Sequence, residues 1–133
     1  MELDWTATDP ESLRLSYVEQ HSSLDVYVQR IEALRTAGEG YSKVHWADRD
    51  HPLVTLQFRH LYGVVSYMSE DQVIYLLVGD GVVDNEDSVL VPGLEDESWY
   101  SGHVVMSSDH AWDVVKKFLA SGAVEGLGEW VEL

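Results

Sequence analysis

Apolar and polar residues recur at two different periods along the 133-residue chain, and the change of period separates strands from helices. Met1 to Thr8 reads as a short strand, broken by Asp9-Pro10. The alternation in "LRLSYV", Leu13 to Val18, predicts a second strand. The period then lengthens: Leu24, Tyr27, Val28, Ile31 and Leu34 follow the i, i+3, i+4, i+7 spacing of an amphipathic helix. Ser22 is the expected N-cap, with Asp25 in capping-box position. The helix should run to about Ala37, with Gly38 as the residue that ends it.

Period two returns afterwards. Lys43 to Ala47 is a short strand candidate, and Val54, Leu56 and Phe58 alternate with Thr55, Gln57 and Arg59, which implies one buried face. Gly63 suggests a turn or a bulge. "VVSYMS" and "QVIYLLVG" read as two strands joined by a hairpin-like connection at Ser69-Glu70-Asp71. Val89 to Val91 is a short strand stopped by Pro92-Gly93, and "HVVMS" is another. Ala111, Trp112, Val114, Val115, Phe118 and Leu119 form the wide apolar face of a second helix, capped by Ser107, Ser108 or Asp109 and ended by Gly122. Asp109 and Asp113 near its start and Lys116 and Lys117 nearer its end suit the helix dipole. "GEWVEL" is a terminal strand or extended segment. Strands joined by short polar turns predict an α+β fold, mainly an antiparallel sheet with two amphipathic helices packed on one face, built as a single domain over 1–133.

Composition narrows the class. Hydrophobic residues make up 45%, enough for a core. There is no cysteine, which removes disulfides, thiolate metal sites and a thiol nucleophile, and fits a cytoplasmic protein. Met1-Glu2-Leu3-Asp4-Trp5 lacks the basic start and apolar run of a signal peptide. No apolar stretch approaches the ~20 residues that cross a bilayer.

Charge changes the picture most. The net charge is −16, and no Lys or Arg occurs between Arg59 and Lys116. Eleven acids lie in that gap: Glu70, Asp71, Asp80, Asp84, Glu86, Asp87, Glu95, Asp96, Glu97, Asp109 and Asp113. Such a lopsided field steers cations. Nucleic acid and anionic membranes are poor partners, because binding phosphate needs Lys and Arg. A basic protein is the favoured partner. The densest acids, in "GDGVVDNEDSVLVPGLEDESWYSG" from Gly79 to Gly102, are followed directly by Trp99 and Tyr100. Aromatic anchors inside a charged rim are common at interfaces; a core position at the start of a strand is the other reading of Trp99. Trp5, Trp46, Trp112 and Trp130 are expected in the core. The candidate partner-binding residues are therefore Asp80, Asp84, Glu86, Asp87, Glu95, Asp96, Glu97, Trp99 and Tyr100.

Catalytic and metal motifs are missing. A calcium hand starting at Asp80 would have Val82, Asp84 and Asn85 at its third, fifth and sixth positions, and one starting at Asp84 would have Glu86 and Ser88 at its third and fifth. Neither fits. The six histidines show no zinc spacing, and there is no nucleophile elbow or phosphate loop. "HWADRDH", His45 to His51, is the densest His/Asp cluster; a polar turn and a small hydrolase site are its two readings. The expectation is a binding protein rather than an enzyme, with no catalytic residues, no metal and no cofactor.

The C-terminal third adds a resemblance. "VVMSSDHAWDVVKKFLASG" followed by "EW" resembles the end of the first-numbered immunity protein family of bacterial polymorphic toxin systems, in a strand, a capped helix with Phe118, Leu119 and Gly122, and then Trp130. The match in detail covers about the last thirty residues. Where family members often carry a proline, this chain has Ala123-Val124-Glu125. The resemblance implies an α+β cytoplasmic protein that binds a cognate toxin domain and blocks it. Such toxins are often nucleases or nucleic-acid deaminases with basic surfaces. The alternatives are a regulatory or scaffold module for another basic protein, a mimic of nucleic acid, and the small hydrolase around His45 to His51.

Overall fold

The computed structural model describes residues 1–133 and places them in ten strands and two α-helices. In chain order these are β1 (Glu2–Ala7), β2 (Gln20–Ser23), α1 (Leu24–Ala37), β3 (Glu39–Trp46), β4 (Leu53–Arg59), β5 (Tyr62–Met68), β6 (Ile74–Leu77), β7 (Ser88–Pro92), β8 (Glu97–Ser101), β9 (Met106–Ser107), α2 (Ser108–Ser121) and β10 (Trp130–Glu132). The main sheet runs β10-β6-β5-β4-β3-β1-β2, with β9 paired to the start of β5. Every pairing is antiparallel. The fold is α+β, as the periodicity predicts.

Alternation along the strands divides two cores. Leu3, Trp5, Val44, Val54, Leu56, Phe58, Val65 and Leu77 pack with Tyr27, Ile31 and Leu34 of α1 and with Trp112, Phe118 and Leu119 of α2. Both helices therefore cover the same face. Each fully buried side chain of this size contributes about 1.5–3 kcal/mol. The helices are tied where the Trp112 indole donates to Glu32 Oε1 at 2.8 Å, and Arg35 pairs with Asp109. Tyr27 is buried under them with its hydroxyl 2.8 Å from Ser42 Oγ, and burial pushes its pKa up. On the other face a smaller core joins Val64 and Leu76 to Val91, Val104 and Val105. The β7–β8 hairpin forms that third layer.

The ends of the helices follow local chemistry. Gly38 (φ 99°) and Gly122 (φ 71°) take the left-handed conformation that stops α1 and α2. Ser107 caps α2, its hydroxyl accepting from the His110 N–H at 3.2 Å. The cap of α1 differs from expectation. Ser23 holds that position and makes no side-chain cap bond. Ser22 instead lies in β2, where its hydroxyl accepts from the Trp5 indole at 2.9 Å.

Three strand assignments also change. Leu13 to Val18 is not a strand: Leu13 takes a left-handed conformation (φ 58°) that an extended strand does not, and only a lone bridge joins Thr8 to Leu15. Gly63 is neither turn nor bulge but lies within β5, where an added Cβ would come within 2.8 Å of Ala111. Its missing side chain lets α2 close on the sheet. "HVVMS" begins as a 3-10 turn, Gly102–Val104, and only Met106–Ser107 pairs as strand. No helix is long and apolar enough to cross a membrane.

Candidate functional site: an acidic hairpin on the open sheet face

After β6 the chain leaves the sheet at Gly79 and returns at His103. The Gly79 N–H donates to the His103 carbonyl at 2.8 Å, so the excursion is closed at its base. Within it β7 and β8 pair in register Ser88 to Ser101, Val89 to Tyr100, Leu90 to Trp99, Val91 to Ser98 and Pro92 to Glu97. Successive side chains point to opposite sides. Val89, Val91, Ser98 and Tyr100 turn toward the sheet, with Val91 fully buried. Leu90 and Trp99 turn away from it, and Trp99 is 67% exposed. Adjacent in sequence, Trp99 and Tyr100 therefore do not form one anchor. Tyr100 belongs to the packing beneath the hairpin.

The underside is held by the polar positions of β4. Gln57 is buried; its Nε2 donates to the Pro92 carbonyl at 2.9 Å and its Oε1 accepts from the Tyr100 hydroxyl at 3.0 Å. One amide thus grips both strands. Arg59 reaches Glu97 at 2.5 Å and Glu39 at 3.4 Å. The bond to Glu97 raises the Arg59 pKa further, so this guanidinium stays charged. The Tyr17 hydroxyl donates to the Leu94 carbonyl at 3.2 Å. Burial beneath the hairpin, with Tyr100 nearby, pushes Tyr41 up to about 12.

The acids fall into two groups rather than one continuous face. Asp84, Glu86 and Asp87 are exposed where the chain enters β7, and Glu95, Asp96 and Glu97 lie around the turn at the other end. At ~3.3 Å per residue, β7 keeps the two ends about 13 Å apart. Three of the seven acids named from the sequence make bonds within the fold, Asp96 by accepting from the Glu97 N–H at 2.8 Å. Asp80 accepts from the backbone N–H groups of Val82 (3.2 Å) and Ser107 (3.1 Å), and Glu97 is spent on Arg59. Asp84, Glu86, Asp87, Glu95 and Asp96 make no ion pair with any Lys, Arg or His of the chain. A cavity of about 560 Å³ opens beside the hairpin turn, lined in part by Glu39, Arg59, Arg14 and Glu95 to Glu97. The turn end thus carries its own counter-charges, while the 84–87 end has none.

The His45 to His51 segment is arranged differently. His45 Nδ1 lies 2.8 Å from the Trp46 carbonyl, and Asp48 pairs with its neighbour Arg49. His45, Asp50 and His51 line one shallow depression, but no hydrogen bond joins them. No three His, Asp or Glu side chains come together as a metal site.

Residues carrying the C-terminal resemblance sit in structural positions. Phe118 and Leu119 are core, Gly122 fits against the Trp46 ring, and the Trp130 indole donates to the Val124 carbonyl at 3.1 Å. Gln57 and Arg59 were not visible as site residues from the sequence, since their alternation reads as a solvated face. The one available signal was the apolar "SVLVP" segment, which needs a surface to cover. Compared with known proteins, the chain matches no family model and no curated protein.

Proposed function

We propose that the protein is an immunity-type inhibitor that binds a cognate, basic bacterial toxin domain in the cytoplasm and neutralises it by occupancy, without turnover or a cofactor. The observation that carries this reading is the hairpin itself. It presents an exposed tryptophan between the unpaired carboxylates at 84–87 and the partly offset carboxylates of the turn, on a backing fixed by Gln57 and Arg59. A preorganised surface loses little entropy on binding. Its charge favours a basic partner such as a domain that handles nucleic acid. The C-terminal resemblance points to the same class of inhibitor. Acids gathered at two ends with apolar residues between them suit a protein surface better than the regular phosphate row that nucleic-acid mimicry would need. The His45 to His51 segment lacks the bonded acid–base pair that a hydrolase reading requires.

The test is to identify the gene upstream of this one and, if it encodes a large secreted protein with a variable C-terminal domain, to co-express that domain with this protein; an upstream gene of another kind counts against the reading. A one-to-one complex on gel filtration, together with restored growth of cells making that domain, is expected. Failure to form the complex or protect the cells overturns the proposal. A complex with an unrelated basic protein in its place would favour a regulatory or scaffold role.

A further inference from the structure

We infer that the two ends of the hairpin do different work in docking: the 84–87 end captures the partner electrostatically, and the outward Leu90–Trp99 pair holds it. This rests on the inhibitor reading. The partner it specifies is a protein surface with an apolar recess for one indole ring and a Lys/Arg-rich patch to one side of that recess.

The argument starts from charge complementarity. Asp84, Glu86 and Asp87 are exposed, pair with no cation, and lie in a stretch of chain without Lys or Arg. At the turn end, Glu97 and Glu39 are held by Arg59, and Arg14 lines the same cavity as Glu95 and Asp96. Arg59 and Arg14 offset part of the negative charge there, whereas no cation offsets the 84–87 end. The ends are about 13 Å apart along β7, beyond the ~8 Å screening length of physiological salt. Each end therefore presents its own field to an approaching protein.

Geometry adds the holding step. Trp99 and Leu90 are cross-strand partners on the outward side, and Trp99 has most of its surface in water. The backbone beneath them is pinned through Gln57 and Tyr100. An exposed indole on a pinned backbone limits what must be ordered on insertion to one side chain, and its burial acts on dissociation. The carboxylates, outside the apolar centre, act on association.

Stopped-flow measurements with the adjacent-gene toxin domain separate these roles. D84K/E86K/D87K and the milder D84N/E86Q/D87N should slow association at low salt, by at least about tenfold for the reversal, and flatten its salt dependence. E95K/D96K should change association by less than about threefold. Trp99→Ala should speed dissociation by about thirtyfold with association nearly unchanged. If a complex forms but the turn-end reversal slows association as much as the 84–87 reversal, or if Trp99→Ala leaves dissociation unchanged, the inference is overturned and the inhibitor reading stands. If wild type forms no complex, the inhibitor reading itself falls, and this inference with it.

Discussion

The Gln57 side chain and the Tyr100 hydroxyl meet at 3.0 Å between the sheet and the hairpin, and the same amide holds the Pro92 carbonyl at 2.9 Å. Gln57→Leu removes the amide from both bonds and puts an apolar side chain of similar size in its place. It should cost about 1–3 kcal/mol, the usual penalty for stranding buried polar groups. Hydrogen exchange should show lost protection over residues 88–101, with the helices still protected. Uniform loss across the chain would mean that the hairpin and the main core unfold as one unit.

Trp112 provides a second, independent test in the other core. It is 2% exposed and its indole bonds Glu32 of α1. Trp112→Ala should destabilise by about 3–5 kcal/mol through the cavity it leaves. Glu32→Ala should cost only about 1 kcal/mol, because Glu32 is exposed and water replaces the bond. Urea denaturation of the two variants checks the order.

Gly102 sits where the 84–87 loop crosses the base of the hairpin. A Cβ there would lie 2.0 Å from the Asp84 carbonyl oxygen. Backbone rather than a flexible side chain blocks the space, so Gly102→Ala must displace the acidic loop. The expected result is a lower melting temperature and shifted amide resonances for residues 84–87, with those of β1 and α1 unchanged.

His21 on the edge strand β2 contacts Asp4 Oδ1 at 2.6 Å, and that hydrogen bond raises its pKa above 6.5. A raised folded-state pKa favours the protonated ring in the folded protein. The stabilisation is complete below pH 6.5 and is lost as pH rises through the raised value. NMR titration should place the His21 midpoint above that of a free histidine, and Asp4→Asn should lower it, with Glu2 and Glu19 still raising it. An unmoved midpoint in Asp4→Asn would show that the Asp4 contact is not the cause.

The parts of the fold legible in the sequence were those with long, unmixed periodicity. Both helices carry apolar faces over fourteen residues, and both end on a glycine that takes the left-handed conformation. In β4 Val54, Leu56 and Phe58 are buried as the alternation predicts, but Gln57 on the other face is buried as well, because the hairpin covers it. Leu13 to Val18 alternates as well, but Leu13 turns left-handed (φ 58°) after the Asp9-Pro10 break, and the segment makes only one bridge to Thr8. Ser22 has the chemistry of a cap, yet pairing of β2 with β1 turns its hydroxyl toward Trp5. The site was legible as composition and not as arrangement. Excess carboxylate shows in any count of residues, whereas its division into two ends depends on where β7 begins and stops. The opposite orientations of Trp99 and Tyr100 follow from period two once "ESWYS" is known to be a strand, but its polar residues hide that assignment.

The bond between Gly79 and His103 has a consequence for how such a protein diversifies. It brings the two ends of the excursion together at the sheet. Insertions are best tolerated where entry and exit points are adjacent. The segment is therefore a favourable place for a graft: another hairpin there is expected to leave helices and sheet order alone. The constraint on any replacement comes from below, since it must still bring apolar side chains to cover Val64 and Leu76 and a carbonyl to satisfy Gln57.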